Sequence, residues 1–197
     1  MQADSLVPAF SDPVVDSQRV FRVLLKALSE PGLIHEVDFV DSLGPLDEAA
    51  YALALTLLDS STTVWLSPNF ESSLIRQNLT FHCGCRFVAE PEQAMFAFLT
   101  ADEVQVLRRL NIGTDRDPEF SATAIVQLNT LETGEETVWT GPGIEYSRDV
   151  GLPLSTAFWA LREQVNLFPR GVDLFFVAQK QVMGMSRTTQ VQTKRED

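Results

Sequence analysis

The sequence predicts an α/β fold, a single domain in which a mixed β-sheet is flanked by helices. Three observations predict it. Segments with helical apolar spacing alternate along the chain with short β-branched and aromatic runs. At least two pairs of those runs are joined by links short enough for hairpins, which adds antiparallel neighbours to the sheet. The chain has 197 residues, a length that suits one domain and buries about 70% of the unfolded surface without disulfide or metal. The domain is expected over residues 1–197, with 1–15 and 192–197 as flexible tails.

The first expected element is a helix from about Asp16 to Ser29, capped by Asp16 or Ser17. Val20, Phe21, Leu24, Leu25 and Leu28 form its apolar face, and Pro31-Gly32 stop it. A second helix, Leu46–Leu58, is apolar nearly all round and so is expected to be buried between layers. Thr62–Ser67 reads as a strand, Glu71–Asn78 as a helix, and Arg86–Ala89 and Met95–Leu99 as short strands. Thr100-Ala-Asp-Glu103 fits a capping box opening a helix that ends near Leu110. Ser121–Leu128 and Thr137–Thr140 read as strands, with a hairpin expected through the link that carries Gly134. Thr156–Gln164 is a further helix. Val172–Ala178 is a strongly apolar strand, paired with Val182–Met185 through a tight turn.

Composition narrows the function. A net charge of −12 argues against general nucleic-acid binding, which depends on neutralising phosphates. No apolar run reaches the roughly 20 residues that span a bilayer. The opening MQADSLVPAF lacks the basic start and apolar stretch of a signal peptide, so a cytoplasmic protein is expected. Cys83 and Cys85 have only His82 close by, short of the paired ligand spacing of structural zinc; they read as reduced thiols, and no metal is expected.

Phosphate-loop, dinucleotide-turn and serine-elbow motifs are absent. Gly141-Pro142-Gly143 reads as a tight turn, because Pro142 has no N–H to offer a phosphate. Two segments hold candidate chemistry, and no catalytic residue is identified. Arg19, Arg22, Lys26 and Glu30 share one face of the first helix. That stripe is either a solvated face or an anion- or partner-binding ridge, with Arg22 and Lys26 as its candidates. Ser186-Arg187-Thr188-Thr189 gathers three hydroxyls, a guanidinium and several backbone donors. It is either an edge strand or a binding surface made by Arg187, Thr188 and Thr189. Asp173 opens a buried-looking strand, where a carboxylate needs a partner; structural pairing is favoured over catalysis.

Taken in order, the segments resemble the PhnH family. Phe21–Gly32 matches its opening helix and turn, and Leu55–Asp59 with Val64–Ser67 the next block. Phe81-His82, Pro91–Ala94, Gly113-Thr114, Gly141–Ile144, Phe168-Pro169, Gly171–Leu174 and Arg187–Thr189 follow, so the match runs from about Asp16 to Val191. Ser186 departs from a proline often found there. The resemblance implies a subunit of the carbon–phosphorus lyase system. It would act with the G, I and L subunits to couple a phosphonate to the ribose of ATP with release of adenine. It would sit in a core complex with G, I and J, with ATP or phosphonate at a shared site, and form a homodimer when isolated. The fold would be similar to that of pyridoxal-phosphate-dependent transferases, without the cofactor. A scaffolding subunit is the alternative. A free-standing pyridoxal-phosphate enzyme is disfavoured because the three lysines, Lys26, Lys180 and Lys194, are poorly placed for a Schiff base.

Overall fold

The first helix, α1 (Pro13–Ser29), starts earlier than its apolar spacing suggests. Pro13 occupies the first turn, where a missing N–H does no harm, and Asp12 is the cap, accepting from the N–H of Val14 at 3.2 Å and of Val15 at 3.1 Å. Asp16 and Ser17 therefore lie inside the helix. Val20, Leu24 and Ala27 form the buried stripe, whereas Phe21 and Leu25, expected on that face, are 49% and 58% exposed. They sit one residue beyond Val20 and Leu24, about 100° round the helix. In this computed structural model, which describes residues 6–194, residues 13–15 belong to α1, and Phe10 is buried.

The remaining helices are α2 (Glu48–Leu57), α3 (Ser73–Cys83) and α4 (Thr156–Val165). Shorter 3₁₀ segments cover Pro91–Gln93, Ala101–Arg109 and Pro118–Phe120. The capping box forms: the Glu103 carboxylate accepts from the N–H of Thr100 at 3.1 Å and from its hydroxyl at 3.0 Å. The helix it opens is 3₁₀ throughout. Helix α2 is buried on all sides from Ala49 to Ala54. Among the described residues, no helix is long and apolar enough to cross a membrane.

The strands are β1 (Ile34–Glu36), β2 (Thr63–Leu66), β3 (Arg86–Phe87), β4 (Phe96–Thr100), β5 (Thr123–Gln127), β6 (Glu135–Thr140), β7 (Arg148–Leu152), β8 (Asp173–Ala178), β9 (Gln181–Met185) and β10 (Gln190–Thr193). Seven form one sheet in the order β1-β9-β8-β5-β4-β2-β3, parallel from β3 to β8 and antiparallel at β9 and β1. The fold is thus a mixed α/β domain. The expected β8–β9 hairpin is present, with Gln179 at φ 52° in its turn. The expected hairpin through Gly134 is not. Ala124, Ile125 and Val126 of β5 are buried on both faces between β4 and β8, as a central parallel strand requires. Strand β6 instead enters a second, antiparallel sheet, β10-β6-β7.

Side chains alternate across the large sheet and split the core in two. Phe98, Ile125, Phe175, Val177 and Val182 face α1, α2 and α3. Leu99, Val126, Leu174, Phe176 and Met185 face α4, the Ala101–Arg109 segment and the small sheet. Gly184 lets α1 press onto β9, because a Cβ there would lie 2.5 Å from the Ala27 backbone carbon. On the second face Trp139, Phe158, Trp159 and Phe176 form an edge-on aromatic cluster, with the Trp139 and Trp159 rings 5.9 Å apart. That cluster seats α4 and fixes which of its side chains point inward.

Candidate functional site

The β8–β9 register sets Asp173, at the start of β8, across from Ser186, just past β9. The Ser186–Thr189 turn is therefore built against the N-terminal end of the parallel strands. Asp173 accepts the Arg187 backbone N–H at 2.7 Å and holds its guanidinium through Nε at 3.2 Å and through Nη2. Arg187 Nη1 donates to the Pro118 carbonyl. The pair is well shielded, with side-chain exposures of 17% and 22%. Arg187 thus turns its charge inward, and Asp173 has the structural partner its position demanded.

The hydroxyls lie differently. Ser186 Oγ is 2.9 Å from Thr188 Oγ1 and 3.1 Å from Thr189 Oγ1, and Thr189 is buried. The Gly141–Gly143 turn supports this segment from behind, since a Cβ at Gly141 would stand 3.2 Å from the Thr188 carbonyl oxygen. Ile144 N–H closes that turn onto Gly141 at 3.1 Å.

A cleft of about 510 Å³ runs between α4 and the Thr188–Gln192 segment, with Trp159, Arg162, Asn166 and Thr188 in its lining. Arg162 is its unexpected component. Trp159 and Arg162 are three residues apart on α4, so the aromatic cluster that buries one carries the other inward. Arg162 is only 5% exposed. Its Nη2 donates to the Ser186 carbonyl at 2.9 Å, and its Nε is buried with no hydrogen-bond partner among the described residues. Among the described residues its side chain makes no ion pair within 4 Å. Burial, opposed in part by the charges of Asp173 and Glu163, pulls its ionisation down to about 10. Trp159 Nε1 is likewise buried and unpartnered among the described residues.

Arg22 and Lys26 do not join this site. Both are on the outward face of α1, in the layer across the sheet, and neither lines the cleft. Lys26 is 3.8 Å from Glu30 and Arg19 3.5 Å from Asp16, leaving Arg22 as the cation of the stripe without an ion pair among the described residues. His82 contacts the Val7 carbonyl at 3.0 Å, and burial, with the Cys85 thiol second, pushes the Cys83 thiol up to about 12.

A second cleft, of about 490 Å³, opens at the other end of the parallel strands. Its lining includes Asp47, Asn69, Thr100, Asp102, Gln127 and Gln179. It stands where β2 and β4 are neighbours but connect outward in opposite directions, the usual ligand position in open α/β sheets. Its lining holds no Lys, Arg or His. Gln127 braces its wall, accepting from Asp47 N–H and donating to the Pro45 carbonyl, each at 2.9 Å. Neither Arg162 nor this crevice stood out in the sequence. Arg162 lies in a polar Arg-Glu-Gln run that reads as a solvated helix face, and only its spacing from Trp159 hints otherwise.

Residues 8–192 match the family model described as bacterial phosphonate metabolism protein (PhnH). The chain is 35% identical, over 93% of its length and 94% of the relative's, to the alpha-D-ribose 1-methylphosphonate 5-triphosphate synthase subunit PhnH of Rhizobium meliloti (strain 1021). It is 29% identical, over 90% of its length and 86% of the relative's, to HtxG of Stutzerimonas stutzeri, named as a candidate C-P lyase subunit. A match of this extent identifies the chain as a member of the PhnH family of bacterial phosphonate metabolism proteins.

Proposed function

We propose that this chain is the H subunit of a carbon–phosphorus lyase system and works as part of a synthase complex. With G, I and L subunits it would replace the adenine of ATP by a phosphonate at the ribose C1, giving a ribose 1-phosphonate 5-triphosphate. A J subunit would later cleave the carbon–phosphorus bond. The observation that carries this reading is the 35% identity, over nearly the whole chain, to a synthase subunit. The reading includes the core complex with G, I and J, a homodimer when the chain is alone, a cytoplasmic location, and ATP or phosphonate at a shared site. Thr188 and Thr189, held in place by Arg187, would face that ligand, and Arg22 and Lys26 would face a partner.

The reading also includes the expected likeness to pyridoxal-phosphate-dependent transferases in fold, without the cofactor. A Schiff-base lysine works best when its ionisation is lowered by burial or by a neighbouring cation. Lys180 and Lys194 instead have theirs raised, first by hydrogen bonds to Asp38 and Glu136 respectively. Lys26 is exposed beside Glu30. A scaffolding subunit is the second reading, and the engagement of Arg187 by Asp173 favours it, since that guanidinium is not free for substrate.

The test is to co-express the chain with its G, I and L partners, isolate what co-purifies, and measure adenine released from ATP with a phosphonate. Activity is expected only from the complex. Turnover by the chain alone contradicts the subunit reading. Variants in the turn that abolish turnover yet assemble normally favour a ligand role over scaffolding.

A further inference from the structure

The feature with the strongest physical demand is the charge of Arg162. A guanidinium that is 95% buried ordinarily faces a carboxylate, because an uncompensated buried ion is expensive. Here its hydrogen-bond partners are carbonyl oxygens, Ser186 at 2.9 Å and Arg187 at 3.5 Å, and Nε has none among the described residues. Asp173 is the carboxylate that acts on Arg162 most strongly, ahead of Glu163, but it is occupied by Arg187. Carbonyl dipoles offset a cation only in part. The floor of the α4 cleft is therefore positive and under-compensated, within a chain of net charge −12.

The surrounding groups match one kind of counter-ion. The buried indole N–H of Trp159 is a second donor without a partner among the described residues. Thr188 lines the same opening with a hydroxyl shared at 2.9 Å with Ser186 Oγ, Asn166 lines it with an amide that donates to the Arg187 carbonyl at 3.4 Å, and Gln190 and Gln192 lie at its edge. Glu163 is the opposing charge on the rim. A cleft lined by a buried guanidinium, an indole, a hydroxyl and amides suits a tetrahedral oxyanion, which has acceptors on every side.

We propose that the cleft between α4 and the Thr188–Gln192 segment is a binding site for a tetrahedral phosphorus oxyanion, with Arg162 as its central cation and Trp159 and Thr188 as flanking donors. Arg187 is a positioning residue, holding the turn through Asp173 while its carbonyl orients Arg162. This rests on the proposed function for the expectation that the anion is a phosphonate or the triphosphate of a nucleotide. Burial of the Arg162 charge requires only an anion.

The experiment is a titration of the full, isotope-labelled chain with inorganic phosphate, methylphosphonate and tripolyphosphate, read by NMR at the Arg162 Nε–H and the Trp159 indole N–H. Arg162→Lys and Trp159→Phe assign the two signals. Both should shift saturably, with Kd on the order of 0.1–1 mM. Arg162→Gln should weaken binding by about tenfold or more. Because that variant risks unfolding, Thr188→Val serves as the second, removing one hydroxyl from a half-buried turn and weakening binding about threefold to tenfold. A response to methylphosphonate alone assigns the site to the phosphonate, and one to tripolyphosphate alone assigns it to the nucleotide tail. The proposal is overturned if neither signal moves with any anion, if chloride at equal ionic strength gives the same shifts, or if folded Arg162→Gln binds like the parent. Shifts that come only with an added partner subunit also overturn it, in favour of an acidic protein contact. Assembly and adenine release are scored separately on the unaltered complex, so failure here leaves the subunit reading standing.

Discussion

The two ends of the parallel strands carry clefts of nearly equal volume, about 510 and 490 Å³, and opposite chemistry. The N-terminal end is built from a half-buried ion pair, Arg187 with Asp173, beside a buried cation, Arg162. The C-terminal end is lined by carboxylates and amides, among them Asp47, Asp102 and Gln127. Open α/β sheets usually take ligands at the second end. For a phosphorus anion the local charge argues for the first. Topology supplies places for a ligand, and side-chain electrostatics selects among them.

The sharpest way to break the comparison is at Asp173. Asp173→Ala removes the acceptor for the Arg187 backbone and leaves its half-buried guanidinium without its carboxylate, which should destabilise the protein by about 2 kcal/mol. Urea unfolding with an unchanged slope would measure it. A loss under about 1 kcal/mol would mean the pair behaves as a surface contact. Gln127→Ala is the matching change at the other end. It deletes two hydrogen bonds that hold residues 45–47 and should cost about 1–2 kcal/mol while leaving anion binding intact. Weakened anion binding in that variant would blur the division between the ends.

The Asp173 pairing was largely readable beforehand. A hairpin turning at Gln179 and Lys180 brings Asp173 opposite Ser186, and a carboxylate opening an apolar strand requires a donor. Helix α2 and the Thr100 capping box were readable too, because periodicity and capping are local properties. What escaped the sequence depends on distant packing. Strands β1, Ile-His-Glu, β7, Arg-Asp-Val-Gly-Leu, and β10, Gln-Val-Gln-Thr, are polar, charged or glycine at half their positions or more and lack the apolar density of a core strand. The Gly134 link gave a plausible hairpin, yet β5 lies between β4 and β8, partners supplied from elsewhere in the chain. Arg162 looks solvated in sequence, and becomes buried only when the Ser186–Thr189 turn closes beside α4.

Two smaller effects sharpen the contrast. Desolvation raises the Asp47 carboxyl, with Glu48 adding to it and the Gln179 N–H opposing it. A raised acid contributes stability below its unfolded pKa of about 3.8 and loses that contribution as pH rises through its higher folded value. Asp47→Asn should flatten that part of the stability–pH profile, and an unchanged profile would remove Asp47 from the account. The smallest effect is expected at Asp102, exposed at the rim of the crevice. Asp102→Asn should change stability by no more than about 0.5 kcal/mol and leave phosphate and phosphonate binding as in the parent. Tighter anion binding at the crevice would show that its acidity was a barrier removed by one substitution.

The most direct test of the claim that the anion belongs at the N-terminal end is a crystal structure of the chain soaked with tungstate, a heavy tetrahedral oxyanion located by its anomalous signal. A peak is expected in the cleft between α4 and the Thr188–Gln192 segment, within hydrogen-bonding reach of Arg162 and Thr188. A peak in the crevice beside Asp47 and Asp102, with none at Arg162, would contradict it.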